Sequence, residues 1–262
     1  MMFSACCRGT CLYFWGGIFY DKDKKTSKIT AIVLSLVMLL GAFAIAGTAT
    51  ASAATDRVSL YSSSVSFSKY GGATYEVYVK TNDNANNQTV TIHYNYLDTM
   101  GWQDTTAAYV TSLNDGSKIW KASFSSFNCK YAIKYEADGR IIWDNNNGKD
   151  YTGSDVVGTA PVAVERLGYQ YNTENYQINA VLQNYAYHKN VFVRYTTDGW
   201  KSYQDKALNY VQTNANGSET WSTKVNANGS DFQYAICYQV NGTEYWANNF
   251  GANYDFSYCI HH

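Results

Sequence analysis

The sequence predicts an all-β protein made of two tandem antiparallel β-sandwiches, and three observations carry that prediction. Apolar and polar residues alternate with period two over short segments, the two halves repeat one another, and no long amphipathic helix follows the leader. Alternation with period two marks half-buried strands. Many short strands with regular turns imply a sandwich.

The chain opens with a leader over 1–53. Lys22, Lys24, Lys25 and Lys28 precede the apolar run Ile29 to Ala46, and Ala51-Ser52-Ala53 supplies an A-x-A site. This is the three-part plan of a secretory signal peptide, so export is expected, with cell-surface association left open. The competing reading is an uncleaved anchor, because roughly 18 apolar residues span a bilayer. The position of the A-x-A site favours cleavage and no membrane contact afterwards.

The first module is expected over 54–152. Tyr75, Val77 and Val79 alternate with Thr74, Glu76, Tyr78 and Lys80. Asp138-Gly139 reads as a hairpin turn, since both residues tolerate positive φ. The segment 153–163 is rich in Gly, Ser, Thr and Val, holds the single proline, Pro161, and reads as a linker.

The second module is expected over 164–262. Val191, Val193 and Tyr195 alternate with Phe192, Arg194 and Thr196, and Asn241-Gly242 is its hairpin turn. The repeat aligns Val90 to Tyr94 with Val191 to Tyr195, Gly101-Trp102 with Gly199-Trp200, Tyr109 with Tyr210, and Trp120 with Trp221. Tyr131 to Tyr135 parallels Tyr234 to Tyr238. Trp143 to Gly148 parallels Trp246 to Gly251, and Tyr151 and Tyr254 close the units. Trp120 and Trp221 lie inside strand patterns and are read as core.

Composition narrows the function. There are 25 Tyr, 7 Trp and 11 Phe, charged residues are 16% of the chain, and the formal net charge is −1. Clustered Lys and Arg, which phosphate binding needs, are missing, so nucleic acid is excluded as a partner. Glycoside hydrolysis needs two carboxylates at fixed separation. The alignment gives Asp98 and Asp198 as the only coincident acids, and acids beside turns are usually turn residues. Asp144 becomes Ala247, Asp138 becomes Asn241 and Glu136 becomes Gln239. His93 lies in a strand, and no histidine pairs with a Ser or Cys in a catalytic order. A non-enzyme without cofactor or metal is expected. Cys129 and Cys237 read as small core hydrophobes, and a Cys237–Cys259 disulfide is left open.

What the repeats share is Trp beside Asn. Trp102 and Trp200 sit at turns, and Trp143 and Trp246 precede Asn-rich loops. A glucose ring offers a C–H face that packs on an indole. Its hydroxyl edge needs groups that both donate and accept, as an Asn amide does. Neutral amides avoid the cost of desolvating a charge. The combination suits a neutral polysaccharide.

The stretch Phe232 to Tyr238, the turn Asn241-Gly242 and the stretch Tyr245 to Tyr254 resemble family 21 of the carbohydrate-binding modules. Val191 to Trp200 is similar to the family's strand-turn-Trp segment, and the first repeat fits through Tyr131 to Tyr135 and Trp143 to Tyr151. The resemblance implies an immunoglobulin-like sandwich in each module and binding of starch, amylose, maltooligosaccharides or glycogen. It implies sugar platforms at Trp102, Trp200, Trp143 and Trp246, and hydroxyl contacts from Asn145, Asn147, Asn248 and Asn253. A second family site falls on Tyr187, with Tyr210 beside it. An extracellular amylase acting on the same substrate is a candidate partner. The rival class is an adhesion or scaffold protein, whose hot spots would also be Trp and Tyr.

Overall fold

The computed structural model describes residues 4–7, 10–15, 18–20, 57–67, 72–96, 100–166, 175–227 and 231–261. The chain divides into two compact units, Met1–Ala51 and Ser52–His262. In the first unit β1 (Ser4–Cys7), β2 (Thr10–Trp15) and β3 (Ile18–Tyr20) form an antiparallel sheet in that order. The apolar run and A-x-A site on which the expected leader rests lie outside the described residues.

Among its described residues the second unit is antiparallel β apart from two short 3-10 turns, Asn249–Gly251 and Phe256–Tyr258. Its first half runs β4 (Val58–Phe67), β5 (Ala73–Thr81), β6 (Gln88–Asn95), β7 (Trp102–Thr106), β8 (Ala108–Ser112), β9 (Lys118–Ser126), β10 (Tyr131–Ala137) and β11 (Arg140–Asp144). These strands form one sheet ordered β4-β5-β9-β8 and another ordered β11-β10-β6-β7. The second half runs β12 (Val162–Glu165), β13 (Asn175–Leu182), β14 (Lys189–Thr196), β15 (Gln204–Ala207), β16 (Asn209–Thr213), β17 (Glu219–Asn226), β18 (Gln233–Val240) and β19 (Thr243–Ala247). Its sheets are ordered β12-β13-β17-β16 and β15-β14-β18-β19, the same two orders strand for strand. Short β20 (Tyr254–Asp255) adds to β18 and β21 (Ile260–His261) to β13. Smaller features recur too. A bulge interrupts β8 between Tyr109 and Thr111 and β16 between Tyr210 and Gln212. Tyr131 bridges to Tyr151 as Tyr234 pairs with Tyr254.

Alternation decides which side chains fill each core. Val90, Ile92 and Tyr94 of β6 and Tyr131, Ile133 and Tyr135 of β10 point inward and are buried. Val191, Val193 and Tyr195 of β14 and Tyr234, Ile236 and Tyr238 of β18 do the same in the second half. Each buried side chain of this size stabilises by about 1.5–3 kcal/mol. Burial pushes the Tyr135 hydroxyl up to about 12 and holds the Tyr131 and Tyr234 hydroxyls well above the ordinary phenol value. These phenols stay neutral at any physiological pH. The opposite faces of β6, β10, β14 and β18 are left for other work.

Hairpins close where the sequence places Asp138-Gly139 and Asn241-Gly242, and all four residues have positive φ, between 49° and 75°. Trp120 and Trp221 are partly buried against the cores rather than inside them, because each indole N–H needs a polar partner. Trp120 donates to Thr81 Oγ1 at 2.9 Å and Trp221 to Glu219 Oε2 at 2.9 Å. Cys129, Cys237 and Cys259 are free thiols, all buried. Burial lifts the thiols of Cys237 and Cys259 to about 12.

The connecting segment 153–163 is packed, not free. Val157 bridges to Ser62 of β4, and Gly158, Thr159 and Ala160 donate backbone N–H groups to Tyr61 and Leu60 carbonyls at 2.8–3.1 Å. Val156, Val157 and Ala160 join Ala163 and Val181 in a small core of their own. Gly158 is required there, since a Cβ would stand 2.1 Å from the Leu60 carbonyl oxygen. Farther along the junction, Phe250 of the second half packs on Tyr61 and Tyr78 of the first, with ring centroids 5.9 and 5.3 Å away. Glu76 receives Lys121 at 2.9 Å and Arg166 at 3.8 Å, and Tyr258 donates to it at 3.4 Å.

Candidate functional site

Each half carries a cluster of aromatic rings on the outward face of the sheet whose central strands are β6 and β10, or β14 and β18. In the first half the cluster is centred on His93. Register places His93 opposite Asp104 of β7 and Asn95 opposite Trp102. His93 Nδ1 lies 2.5 Å from Asp104 Oδ1. Its imidazole stacks on Trp102 at 4.7 Å and 9°, and meets the edge of Trp143 at 5.5 Å and 74°. The two indole planes therefore stand steeply to each other. Trp102 is 45% exposed and Trp143 46%.

In the second half the centre is Arg194, the register equivalent of His93. Its guanidinium makes a bidentate pair with Asp205 of β15, both contacts 2.7 Å. That pair pushes the Arg194 pKa above its ordinary value. The same guanidinium lies 4.3 Å from the ring centroid of Tyr203 and 5.3 Å from that of Trp246. Such cation–π contacts contribute roughly 0.5–1 kcal/mol when exposed. Phe192 meets Trp246 edge-on at 5.8 Å and 90°, and Trp246 is 39% exposed. Cys237 lies in register between Phe192 and Trp246 and is covered by them.

This register corrects two expectations. Trp102 aligns with Tyr203, not with Trp200, because Trp102-Gln103-Asp104 and Tyr203-Gln204-Asp205 occupy the same places on their strands. The coincident acids include Asp104 and Asp205, each engaged by the basic residue across the strand pair. The signal was present in the sequence as an ungapped W-Q-D against Y-Q-D match, and the Gly-Trp dipeptides masked it.

Trp200 occupies the turn that enters β15. Its φ is 66°, its backbone N–H donates to Thr196 Oγ1 at 3.1 Å, and its indole N–H donates to Gln233 Oε1 at 2.7 Å. Asn253 donates to the same Gln233 oxygen at 3.5 Å. Trp200, Gln233 and Asn253 thus form a polar–aromatic group at the start of β18. Asp198 is the turn's anchor. It accepts from Thr196 Oγ1 and from the Ser202 N–H and hydroxyl at 2.7–3.0 Å. The Ser202 bonds first, then Thr196, hold its carboxyl down at about 2. Asp98 lies outside the described residues.

The Asn-rich loops are built alike. Asn145 Oδ1 accepts from Gly148 N at 3.0 Å, and Asn248 Oδ1 from Gly251 N at 3.2 Å. Asn146 reaches the Asp150 carbonyl and Asn249 the Asn253 carbonyl, each at 3.2 Å. The amide oxygens of Asn145 and Asn248 therefore shape the loop, which leaves their NH₂ groups as the donors on offer. Asn147 is exposed at φ 56°, and Phe250 stands in its place at φ 55°. Asp144 is structural: its carboxylate accepts from Leu60 N, Asn146 N and the Tyr151 hydroxyl at 2.7–3.2 Å.

Tyr187 and Tyr210 contact different neighbours. Tyr187 is 91% exposed and meets only the edge of His188 among the ring contacts of the described residues, at 5.2 Å. Tyr210 rests edge-on against Trp221 at 5.9 Å with its hydroxyl 2.9 Å from Thr213 Oγ1. Tyr109 repeats that arrangement on Trp120 at 5.7 Å, with Ser112 at 3.0 Å, and was not among the expected site residues.

Residues 157–257 match the family model described as carbohydrate/starch-binding module (family 21). That stretch holds Arg194, Trp200, Tyr203 and Trp246. The chain is 38% identical over 80 residues to the glycogen-binding subunit 76A of Drosophila melanogaster, covering 29% of this chain and 12% of that protein. It is 36% identical over 80 residues to protein phosphatase 1 regulatory subunit 3B of Rattus norvegicus, covering 28% of each. The chain thus spans less than a third of the length of these curated relatives. Among solved structures, the starch-binding domain of Rhizopus oryzae glucoamylase, in complex with β-cyclodextrin and maltoheptaose, aligns at 25% identity and a TM-score of 0.29. The alignment covers 37% of this chain and 92% of that one.

Proposed function

We propose that this protein binds a neutral α-1,4-glucan of the starch or glycogen type and performs no chemistry on it. The observation that carries the reading is the pair of exposed indoles, Trp102 and Trp143, held steeply to one another by His93. A flat crystalline polysaccharide is matched by coplanar rings. A helical glucan turns between successive residues and is matched by angled ones. The family match over 157–257 supports the same ligand class for Trp246, Tyr203 and Trp200 in the second half. Repetition of strand order, bulges and loop bonds supports reading the first half as a second copy of the same module. From the relatives, the glycogen-binding description alone is carried over.

Asn145, Asn147, Asn248 and Asn253 would supply hydroxyl contacts, and Tyr187 and Tyr210 would belong to a second, more open site. The carboxylates beside the aromatic clusters are engaged by His93 and Arg194, which supports binding without hydrolysis. Export by the leader over 1–53 is part of the proposal, on the strength of its basic run and A-x-A site. A starch co-sedimentation assay tests the reading. Wild type should sediment with granular starch, and Trp143→Ala and Trp246→Ala should each weaken binding, the double variant most. Retention of full binding by the double variant would sink it.

A further inference from the structure

We infer that the cleft between the two halves is a composite subsite that receives the continuation of a glucan chain from Trp246; this rests on the proposed glucan reading. The cleft has a volume of about 800 Å³ and is walled by both halves. The second half contributes Tyr245, Trp246 and Asn248. The first contributes Tyr61 and Tyr78 and the turn between β8 and β9, with Asn114 and Asp115.

Three features specify the occupant. First, Trp246 lines this cleft and also the open face that holds Phe192 and Arg194. A sugar on its ring therefore has a path inward without leaving the protein. Second, the lining holds one cation and one anion among the described residues, Lys80 and Asp115, and they pair at 2.8 Å. The cleft is close to neutral, which suits an uncharged ligand and disfavours phosphate or carboxylate groups. Third, the pair is fixed. Asp115 Oδ1 accepts both the backbone N–H and the hydroxyl of Ser117, at 3.0 and 2.5 Å. The pair offers positioned donors and acceptors next to the exposed Asn114 amide, in a cleft also lined by Tyr61, Tyr78, Tyr245 and Trp246. Aromatic surface together with amide and charge-paired groups is the chemistry a pyranose needs. Phe250, tilted against Tyr61 and Tyr78, keeps the two walls at a constant separation.

A short sugar would be satisfied by Trp246 and its neighbours alone. A longer one would reach the first half. Fluorescence titration of the full chain with maltose and with maltoheptaose separates these cases. Asn114→Ala should weaken maltoheptaose about three- to tenfold, the worth of one or two hydrogen bonds, and leave maltose unchanged. Asn114→Arg, which puts a bulky charge into this neutral cleft, should weaken it further. Thermal melting checks that both variants fold. Unchanged maltoheptaose affinity in both, while Trp246→Ala still loses it, would overturn the composite cleft and leave the glucan reading standing. A wild-type protein that binds neither sugar would overturn both.

Discussion

Phe250 offers the sharpest test of how the two halves are joined. It stands at φ 55° and ψ 37°, a left-handed conformation. For a bulky side chain this costs about 1–2 kcal/mol relative to glycine. Against that cost stand two ring contacts, with Tyr61 and Tyr78, each contributing about 0.5–1.5 kcal/mol beyond burial. Phe250→Ala removes both contacts and keeps the backbone penalty, a net loss of about 2 kcal/mol. For a unit of this size that lowers Tm by about 4–8 °C. Phe250→Gly removes the same contacts and recovers the penalty, so it should melt about 2–8 °C above Phe250→Ala. Phe250→Asn should fall with the glycine variant, because Asn147 already holds φ 56° at the matching place. Differential scanning calorimetry on the three variants reads the order. An alanine variant as stable as the glycine one, or no variant below wild type, would show that the ring contacts and the backbone conformation do not oppose one another as argued.

Gly158→Ala should destabilise by about 3 kcal/mol or more, since the new methyl would collide with the Leu60 carbonyl 2.1 Å away and backbone cannot yield as a side chain can; a urea midpoint measures it. Asp198 has a folded pKa of about 2 against an ordinary 3.8. Its contribution is therefore complete above the ordinary value and is lost as pH falls through about 2. The Tm difference between wild type and Asp198→Asn should be constant from pH 7 to 5 and shrink below pH 4. A difference as large at pH 2 as at pH 7 would contradict the Ser202 and Thr196 bonds. Cys129, Cys237 and Cys259 should resist a thiol reagent at pH 8 in the native protein and react in denaturant, because all three are buried and buried thiols are inert.

Much of the architecture was legible because its signals are local. Alternation in Val90 to Tyr94 and Val191 to Tyr195 names the buried face directly. Asp138-Gly139 and Asn241-Gly242 fix two hairpins through residues that tolerate positive φ. Pairing across strands is a different matter. Whether Trp200 or Tyr203 faces the position of Trp102 depends on how many residues the preceding turn consumes, and a Gly-Trp dipeptide on each side pointed to the wrong partner. The junction was hidden for a similar reason. Val156, Val157 and Ala160 look like linker residues among Gly, Ser and Thr, and only the unpaired edge of β4 gives them a place to pack. The basic centres, His93 and Arg194, were invisible because their meaning comes from the rings around them.

If both halves bind glucan as proposed, the packed junction changes what the two faces accomplish together. With a flexible tether, a second site adds affinity whenever the linker length matches the span. Here the connection is bonded along β4 and wedged by Phe250, so the separation and tilt of the two faces are set by the fold. Such a pair loses little entropy when both faces engage, which favours tight binding to a polymer of matching curvature. It gains nothing from a polymer that cannot present two segments at that spacing. On the proposed reading, a rigid pair would select among glucans by shape, where a tethered pair would select mainly by length. The unlike centres extend the same logic. Arg194, locked to Asp205 and bracketed by Tyr203 and Trp246, holds a permanent charge in one cluster. His93 puts a smaller ring between Trp102 and Trp143 in the other. The two halves share a scaffold and differ in the group at its centre, so the faces need not prefer the same segment of one chain.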